Sequence, residues 1–372
     1  MEYGQDLQGD KISLLGYGCM RMPLTDKNAA HIDERAAFEL WDYAYAHGVN
    51  YYDTAWPYHA GNSETVLGKW LKTIDRTTVK VATKMPLWEI KKSKDADHIF
   101  DRQLKKTGTD YFDFYLAHAL DADKYKTMTD CGVYDFLKQK KERGSIKRLG
   151  FSFHGEQKTF DKLLANFEWD FVQIQLNYID WDFQNSKYYY GELVRRDIPV
   201  VVMEPVRGGL LAAPCKESTE IFKAAAPDKS AASWAMRYVA SLPGVMTILS
   251  GMSAQSQLQD NLTTFDNFSP LSESERAVVQ DALGAYVKFS AVPCTGCRYC
   301  MDCPAGVDIP KCFELFNAHK LGEKSLKFSV NSLSAKEFPS SCTVCKKCLP
   351  KCPQSINIPS ELKKMSDIID IM

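Results

Sequence analysis

The sequence has almost no surplus of charge. Its 46 Lys and Arg face 47 Asp and Glu over 372 residues, a formal net charge of −1. So balanced a surface offers no broad field to nucleic acid or to an anionic membrane, and neither is expected as a partner. Long apolar runs are missing too. No stretch approaches the roughly 20 residues that span a bilayer, so membrane insertion is not expected. The opening residues, MEYGQDLQGDKIS, are polar and lack the apolar core of a secretion signal. A cytoplasmic location follows as the expectation. No Gly-rich phosphate loop follows the strand Val49 to Asp53, where Thr54-Ala55-Trp56-Pro57-Tyr58 stands instead. That argues against an open dinucleotide-binding sheet.

Cysteine, by contrast, is plentiful: twelve residues, eight of them in two spaced runs of the tail. The tail reads Cys294-x2-Cys297-x2-Cys300-x2-Cys303-Pro304, then Cys342-x2-Cys345-x2-Cys348-x3-Cys352-Pro353. The second run has the spacing of a bacterial 4Fe–4S site, and the first is one residue shorter before its last cysteine. Each ends in a near-copy of the other, CPAGVDIP and CPQSINIP, so the tail is an internal duplication. In two-cluster ferredoxins the cysteine before proline serves the opposite cluster. The expected ligand sets are therefore Cys294, Cys297, Cys300 and Cys352, and Cys342, Cys345, Cys348 and Cys303. Zinc also uses paired C-x2-C units, but it has no use for a third step or a Cys-Pro ending. Thiolates in such number suit a reducing compartment. Cys19, Cys131, Cys215 and Cys312 are left over and take no role.

Upstream of the tail, short apolar strands and amphipathic helices alternate eight times. That pattern predicts parallel strands with helical crossovers, and eight units over this length fit a closed (β/α)8 barrel. The expected architecture is α/β: a TIM barrel over residues 1–285, then a small, mainly helical domain over 286–372 with two 4Fe–4S clusters. A hairpin is expected at Leu7 to Ser13, around Gly9-Asp10. Barrel chemistry sits at the C-terminal strand ends. Those ends carry Asp53, Lys84, His118, Ser152, Gln173 with Gln175, and Glu204, with Tyr58 just beyond Asp53.

The stretches YYDTAWPYH, VATKM, FYLAH, LGFS, QIQLNY, EPVRGGLL and SGMS with Asp260-Asn261 resemble, in this order, the aldo-keto reductase family. With the cysteine-rich tail the chain is similar to those relatives that carry a C-terminal dicluster domain, of the helical ferredoxin type. The resemblance implies a catalytic tetrad of Asp53, Tyr58, Lys84 and His118. It implies hydride transfer between NADPH or NADH and a small carbonyl or alcohol, with Tyr58 as proton donor. A phenol ordinarily titrates near pH 10, and a neighbouring Lys84 ammonium would lower that value. By the same resemblance Ser152 and Gln173 or Gln175 would hold the nicotinamide. Gly251, Ser253, Gln257 and Asn261 would line the rest of the cofactor, and backbone N–H groups at a helix start could hold its diphosphate. The chain departs from the family at Phe153, Met203 and Gln257, where asparagine, an aromatic ring and a cation are usual. Those departures keep a second reading open: an iron–sulfur electron-transfer or redox-sensing protein that uses its barrel as a binding platform. Hydride moves two electrons and a cluster one. A flavin would bridge that mismatch, though no firm flavin motif is present. A redox partner protein is the other expected contact.

Overall fold

The computed structural model describes every residue except Leu7, Asn267, 288–291, Asp302, 321–325 and Met372. Strand β1 (Tyr3–Gln5) pairs antiparallel with β2 (Lys11–Ser13). The first arm begins earlier than the Gly9-Asp10 signal suggests. The Asp6 carboxylate accepts the N–H groups of Gln8 and Asp10, both at 2.9 Å, and so closes a wider turn. Leu7, part of the expected hairpin, lies outside the described residues.

Eight parallel strands follow: β3 (Leu15–Gly18), β4 (Tyr51–Asp53), β5 (Lys80–Met85), β6 (Phe112–Leu120), β7 (Ile146–Phe153), β8 (Phe171–Gln175), β9 (Val200–Met203) and β10 (Val245–Ser250). They close into a ring in sequence order, with β10 pairing both β9 and β3. All nine residues of β6 are buried, as expected for a strand covered on both faces. Tyr51, Ala82, Phe114, Leu116, Phe171 and Val201 share one buried cluster with Ile12 of the hairpin. The Phe114 ring lies 4.9 Å from Tyr51 and 5.0 Å from Phe171.

This inner layer sets the address of the rim. Side chains repeat every second residue along a strand. Asp53 is two residues past Tyr51, Lys84 two past Ala82, His118 two past Leu116, and Gln173 two past Phe171. Each therefore shares the inward face of its strand, one layer higher.

By packing, the chain forms two units: Met1–Pro205 with Met236–Leu271, which holds the whole ring, and Val206–Ala235 with Ser272–Met372. Within the second, the helices Lys216–Ala225 and Glu273–Val287 pack together, and Ser218 Oγ donates to the Ala282 carbonyl at 2.7 Å. The helices Ile309–Lys320 and Ile358–Ile371 contribute Ile309, Phe313, Phe316, Ile358, Leu362 and Met365 to a common core. The alternation did not reveal the helices Ala122–Asp130, Asp180–Phe183 and Lys216–Ala225. Among the described residues, no helix is long and apolar enough to cross a membrane.

Candidate functional site

At the upper end of the ring, three strands and one loop bring four side chains together. Lys84 Nζ donates to Asp53 Oδ1 at 2.5 Å and to the Thr54 carbonyl at 2.8 Å. Its third contact is Tyr58 Oη, at 3.4 Å. Lys84 is 1% exposed, so a charge is held out of water by one full countercharge and two dipoles. The His118 ring stands edge-on to Tyr58, with centroids 6.3 Å apart, and Trp88 covers it from another side at 5.0 Å. His118 Nδ1 is buried and has no hydrogen-bond partner among the described residues.

Burial is the largest influence on three of these groups. It pushes the Asp53 carboxyl up and the Lys84 ammonium down, and each partner's charge works against that push. The 2.5 Å contact makes the ion pair the state we take for both. His118 is driven well below the ordinary histidine range, first by burial and then by the Lys84 charge, so the imidazole is neutral.

Tyr58 owes its position to an unusual turn. His59 and Ala60 both have φ of 54°, left-handed for residues with a side chain. The buried His59 ring ties the turn down: Met22 N–H donates to Nε2 at 3.1 Å, and Nδ1 lies 2.8 Å from the Ala29 carbonyl. With Nε2 accepting, Nδ1 carries the proton.

A second layer behind the site escaped the sequence reading. Glu64 is fully buried and accepts from Gln103 Nε2 at 2.6 Å, Thr83 Oγ1 at 2.8 Å and Lys106 Nζ at 3.1 Å. Gln103 Nε2 also donates to the Lys84 carbonyl at 3.0 Å, and its Oε1 accepts from Tyr115 at 2.5 Å. The network fixes the backbone that presents Lys84. Ser63-Glu64 reads in sequence as a helix start, which it is, and nothing local signals the inward carboxylate.

The residues assigned to a nicotinamide cofactor divide by what already holds them. Ser152 Oγ accepts the Ala119 N–H at 2.7 Å. Gln175 Nε2 donates to the buried Asp180 at 2.7 Å. Gln173, 2% exposed, keeps its Oε1 without a partner among the described residues. Asn261 Nδ2 is turned onto Ser250 Oγ at 2.9 Å. Gly251 and Ser253 are exposed on the loop after β10. Gln257 Oε1 accepts the N–H groups of Ser253 and Ala254, at 2.9 and 3.2 Å. Phe153 is buried, with ring centroids 4.9 Å from Phe160 and 5.1 Å from Tyr189.

In the second unit the electrostatic neighbours of Cys300 and of Cys348 are drawn from both runs. The Cys300 thiol is raised by burial and then by Cys297, Cys294 and Cys352. The Cys348 thiol is raised by burial and, among its neighbours, by Cys342, Cys345 and Cys303. One cavity is lined by Cys303, Cys342, Cys345 and Cys348 together with Cys300. Each set joins three thiols of one run to the Cys-Pro of the other. The duplication extends to the backbone: Gly296 and Arg298 are left-handed in the first run, as Val344 and Lys346 are in the second. Gly306 and Ser355, three residues after their Cys-Pro cysteines, match likewise, and their N–H groups donate back to the backbone carbonyls of Cys303 and Cys352. Among the described residues, no three His, Cys, Asp or Glu side chains converge closely enough to hold a single metal ion.

Residues 14–283 match the family model described as Aldo/keto reductase family, and residues 293–363 match the 4Fe-4S dicluster domain. The NADH-specific methylglyoxal reductase of Escherichia coli (strain K12) is 30% identical over 192 residues, 44% of this chain and 54% of that protein. Probable aldo-keto reductase 1 of Glycine max is 30% identical over 153 residues, 39% of this chain and 42% of that one. The chain thus spans about half the length of these two relatives. Among solved structures, the holo form of aldo-keto reductase AKR11C1 from Bacillus halodurans superposes with a TM-score of 0.62 at 24% identity, over 76% of this chain and 96% of that one. An aldo/keto reductase from Klebsiella pneumoniae in complex with NADP and acetate gives 0.60 at 18%, over 77% and 96%. Both structural likenesses speak to the barrel's fold.

Proposed function

This chain is an oxidoreductase of the aldo/keto reductase family with a C-terminal 4Fe-4S dicluster domain, and from that membership we propose that it interconverts a small carbonyl compound and its alcohol by nicotinamide hydride transfer. The observation that carries the reading is the contact of Lys84 Nζ with both Asp53 Oδ1 and Tyr58 Oη in a buried rim. Bound there, a nicotinamide supplies the hydride. Gln173 fits such a group, because its buried carboxamide oxygen lacks a donor among the described residues. Ser152 would flank it, and Gly251, Ser253, Gln257 and Asn261 would reach the remainder. Gln175, committed to Asp180, is left to orient that loop.

The chain's own work is proton transfer. Tyr58 Oη–H gives its proton to the carbonyl oxygen as the carbon gains hydride. The phenolate left behind faces the Lys84 ammonium, which stabilises it, and Asp53 keeps that ammonium charged and in place. Neutral His118 supplies a hydrogen bond that orients the carbonyl. Alcohol oxidation runs the same proton back to Tyr58.

We further assign one 4Fe–4S cluster to Cys294, Cys297, Cys300 and Cys352, and a second to Cys342, Cys345, Cys348 and Cys303. The mixed thiol sets and the matched left-handed turns support it, since such turns aim backbone N–H groups inward at an anionic centre. The domain boundary near 285/286 is supported by the family matches, which stop at 283 and resume at 293.

The test is Tyr58→Phe in the holoprotein, assayed with NADH and NADPH against small aldehydes and ketones. General acid catalysis is worth about 10²- to 10⁴-fold, and a loss of that size with unchanged nucleotide binding is expected. Unchanged turnover would remove Tyr58 from the chemistry. The platform reading draws on one observation: Gln257 already takes the Ser253 and Ala254 N–H groups that a diphosphate would use. It requires that no carbonyl be turned over with either nucleotide.

A further inference from the structure

The two copies of the cysteine motif share a backbone but not an environment. In the first, Thr295 is 3% exposed, and its carbonyl lies so close to Gly208 that a Cβ there would come within 2.0 Å. In the second copy, everything from Thr343 to Lys347 is exposed. Val344 is 57% exposed, at a φ of 55°. A β-branched residue is a poor occupant of left-handed space, and the first copy has glycine at the equivalent position. An apolar side chain displayed on a strained backbone points to use of that side chain.

Its surroundings are cationic. Lys346, Lys347 and Lys351 are exposed and line the same cavity as Cys303, Cys342 and Cys345. No Asp or Glu occurs from Phe338 to Ser360, in a chain whose overall charge is −1. Among the described residues, neither Lys346 nor Lys347 pairs with a carboxylate. An apolar centre with a charged rim is the anatomy of a protein interface, and charge of one sign speeds and orients the approach of its opposite.

We propose that the loop Thr343 to Lys347, with Lys351, is the docking face for a small acidic protein that carries one electron. The proposal rests on the reading of Cys342, Cys345, Cys348 and Cys303 as ligands of a 4Fe–4S cluster. Val344 fills the centre of the contact, and the lysines meet the partner's carboxylates. One electron leaves the reduced carrier and enters that cluster, so the carrier is oxidised by one and the cluster reduced by one. No proton moves and no bond is made. Electron-transfer contacts are small, so a few side chains set their affinity.

The experiment uses the holoprotein and a small acidic 2Fe–2S ferredoxin as probe, with binding measured by calorimetry at low and high salt. Iron and sulfide are assayed in parallel. Wild type is expected to bind at low salt and to weaken steeply as salt rises. Lys347→Glu with Lys351→Glu should lose at least about tenfold in affinity, because like charges now meet across the contact. Val344→Gly should weaken binding about threefold or more with full iron content and an equal or higher melting temperature. Full iron with unchanged ferredoxin affinity in both variants overturns the proposal. So does equal affinity of the same lysines for duplex DNA or anionic vesicles. A wild type that takes up no iron sinks the cluster assignment beneath it, a failure the iron assay reports separately.

Discussion

His118 is the residue whose chemistry most depends on being neutral. Burial and the Lys84 charge hold its folded-state pKa well below the histidine norm. The unfolded chain takes up a proton near pH 6.5, and the folded chain refuses it. Stability from this group is thus fully present above about pH 6.5 and is lost as pH falls, by about 1.4 kcal/mol per pH unit until the folded form also titrates. Replacing it, as in His118→Asn, should flatten the stability profile between about pH 6.5 and about pH 5. Urea midpoints of the two proteins across that range check it, and parallel slopes would mean a hydrated His118. Asp53, Lys84 and His118 were legible because strand ends and a two-residue repeat locate them, whereas the left-handed turn at His59 and Ala60 that places Tyr58 was not. Glu64 was not, because its partners Thr83, Gln103 and Lys106 come from other elements and meet it only in the folded ring. Gln257 stood out as a missing cation, but its hydrogen bonds to the Ser253 and Ala254 N–H groups belong to a loop geometry that no spacing displays.

Among the elements, the glycine pair after β9 makes the sharpest demand. Gly208 has φ of 68°, and an added Cβ would sit 2.0 Å from the Thr295 carbonyl oxygen. Left-handed backbone costs alanine about 1–2 kcal/mol, and the overlap with backbone adds to that. Gly208→Ala should therefore lower the melting temperature and loosen the loop that carries Cys294 and Cys297. The iron bound per chain should fall with it, while Gly209→Ala, with nothing within 4 Å of its Cβ, should pay only the conformational part. Equal effects would mean that the Thr295 contact carries nothing. The sequence showed EPVRGGLL as a motif but not what it lies against. The first hairpin arm was misplaced for a similar reason, while the second, Lys11–Ser13, lies where expected: Asp6, not the Gly9-Asp10 pair alone, decides where the turn closes. Helices such as Lys216–Ala225 went unseen because the alternation already had its eight crossovers without them.

For the whole molecule, the proposed interlocked ligand sets make a prediction that simple pairing within each run does not. Cys303→Ser and Cys345→Ser should impair the same cluster, and Cys352→Ser the other one. Each single change should lower iron from about eight toward about four atoms per chain, with the surviving signal the same for the first two variants. Electron paramagnetic resonance of the reduced proteins distinguishes this from ligation within one run, in which Cys303 and Cys345 variants would lose different signals. The barrel and the duplicated tail were both legible as patterns, one from alternation and one from spacing. An electron path between two-electron and one-electron chemistry was not, since it would depend on distances that no residue pattern encodes. The most direct test of the central claim follows the hydrogen itself. With nicotinamide deuterated on its reactive ring carbon and a small aldehyde as substrate, hydride transfer at the Tyr58 site predicts deuterium on the product's carbinol carbon. Product bearing only solvent hydrogen at that carbon would contradict the account and give the reduction to the clusters.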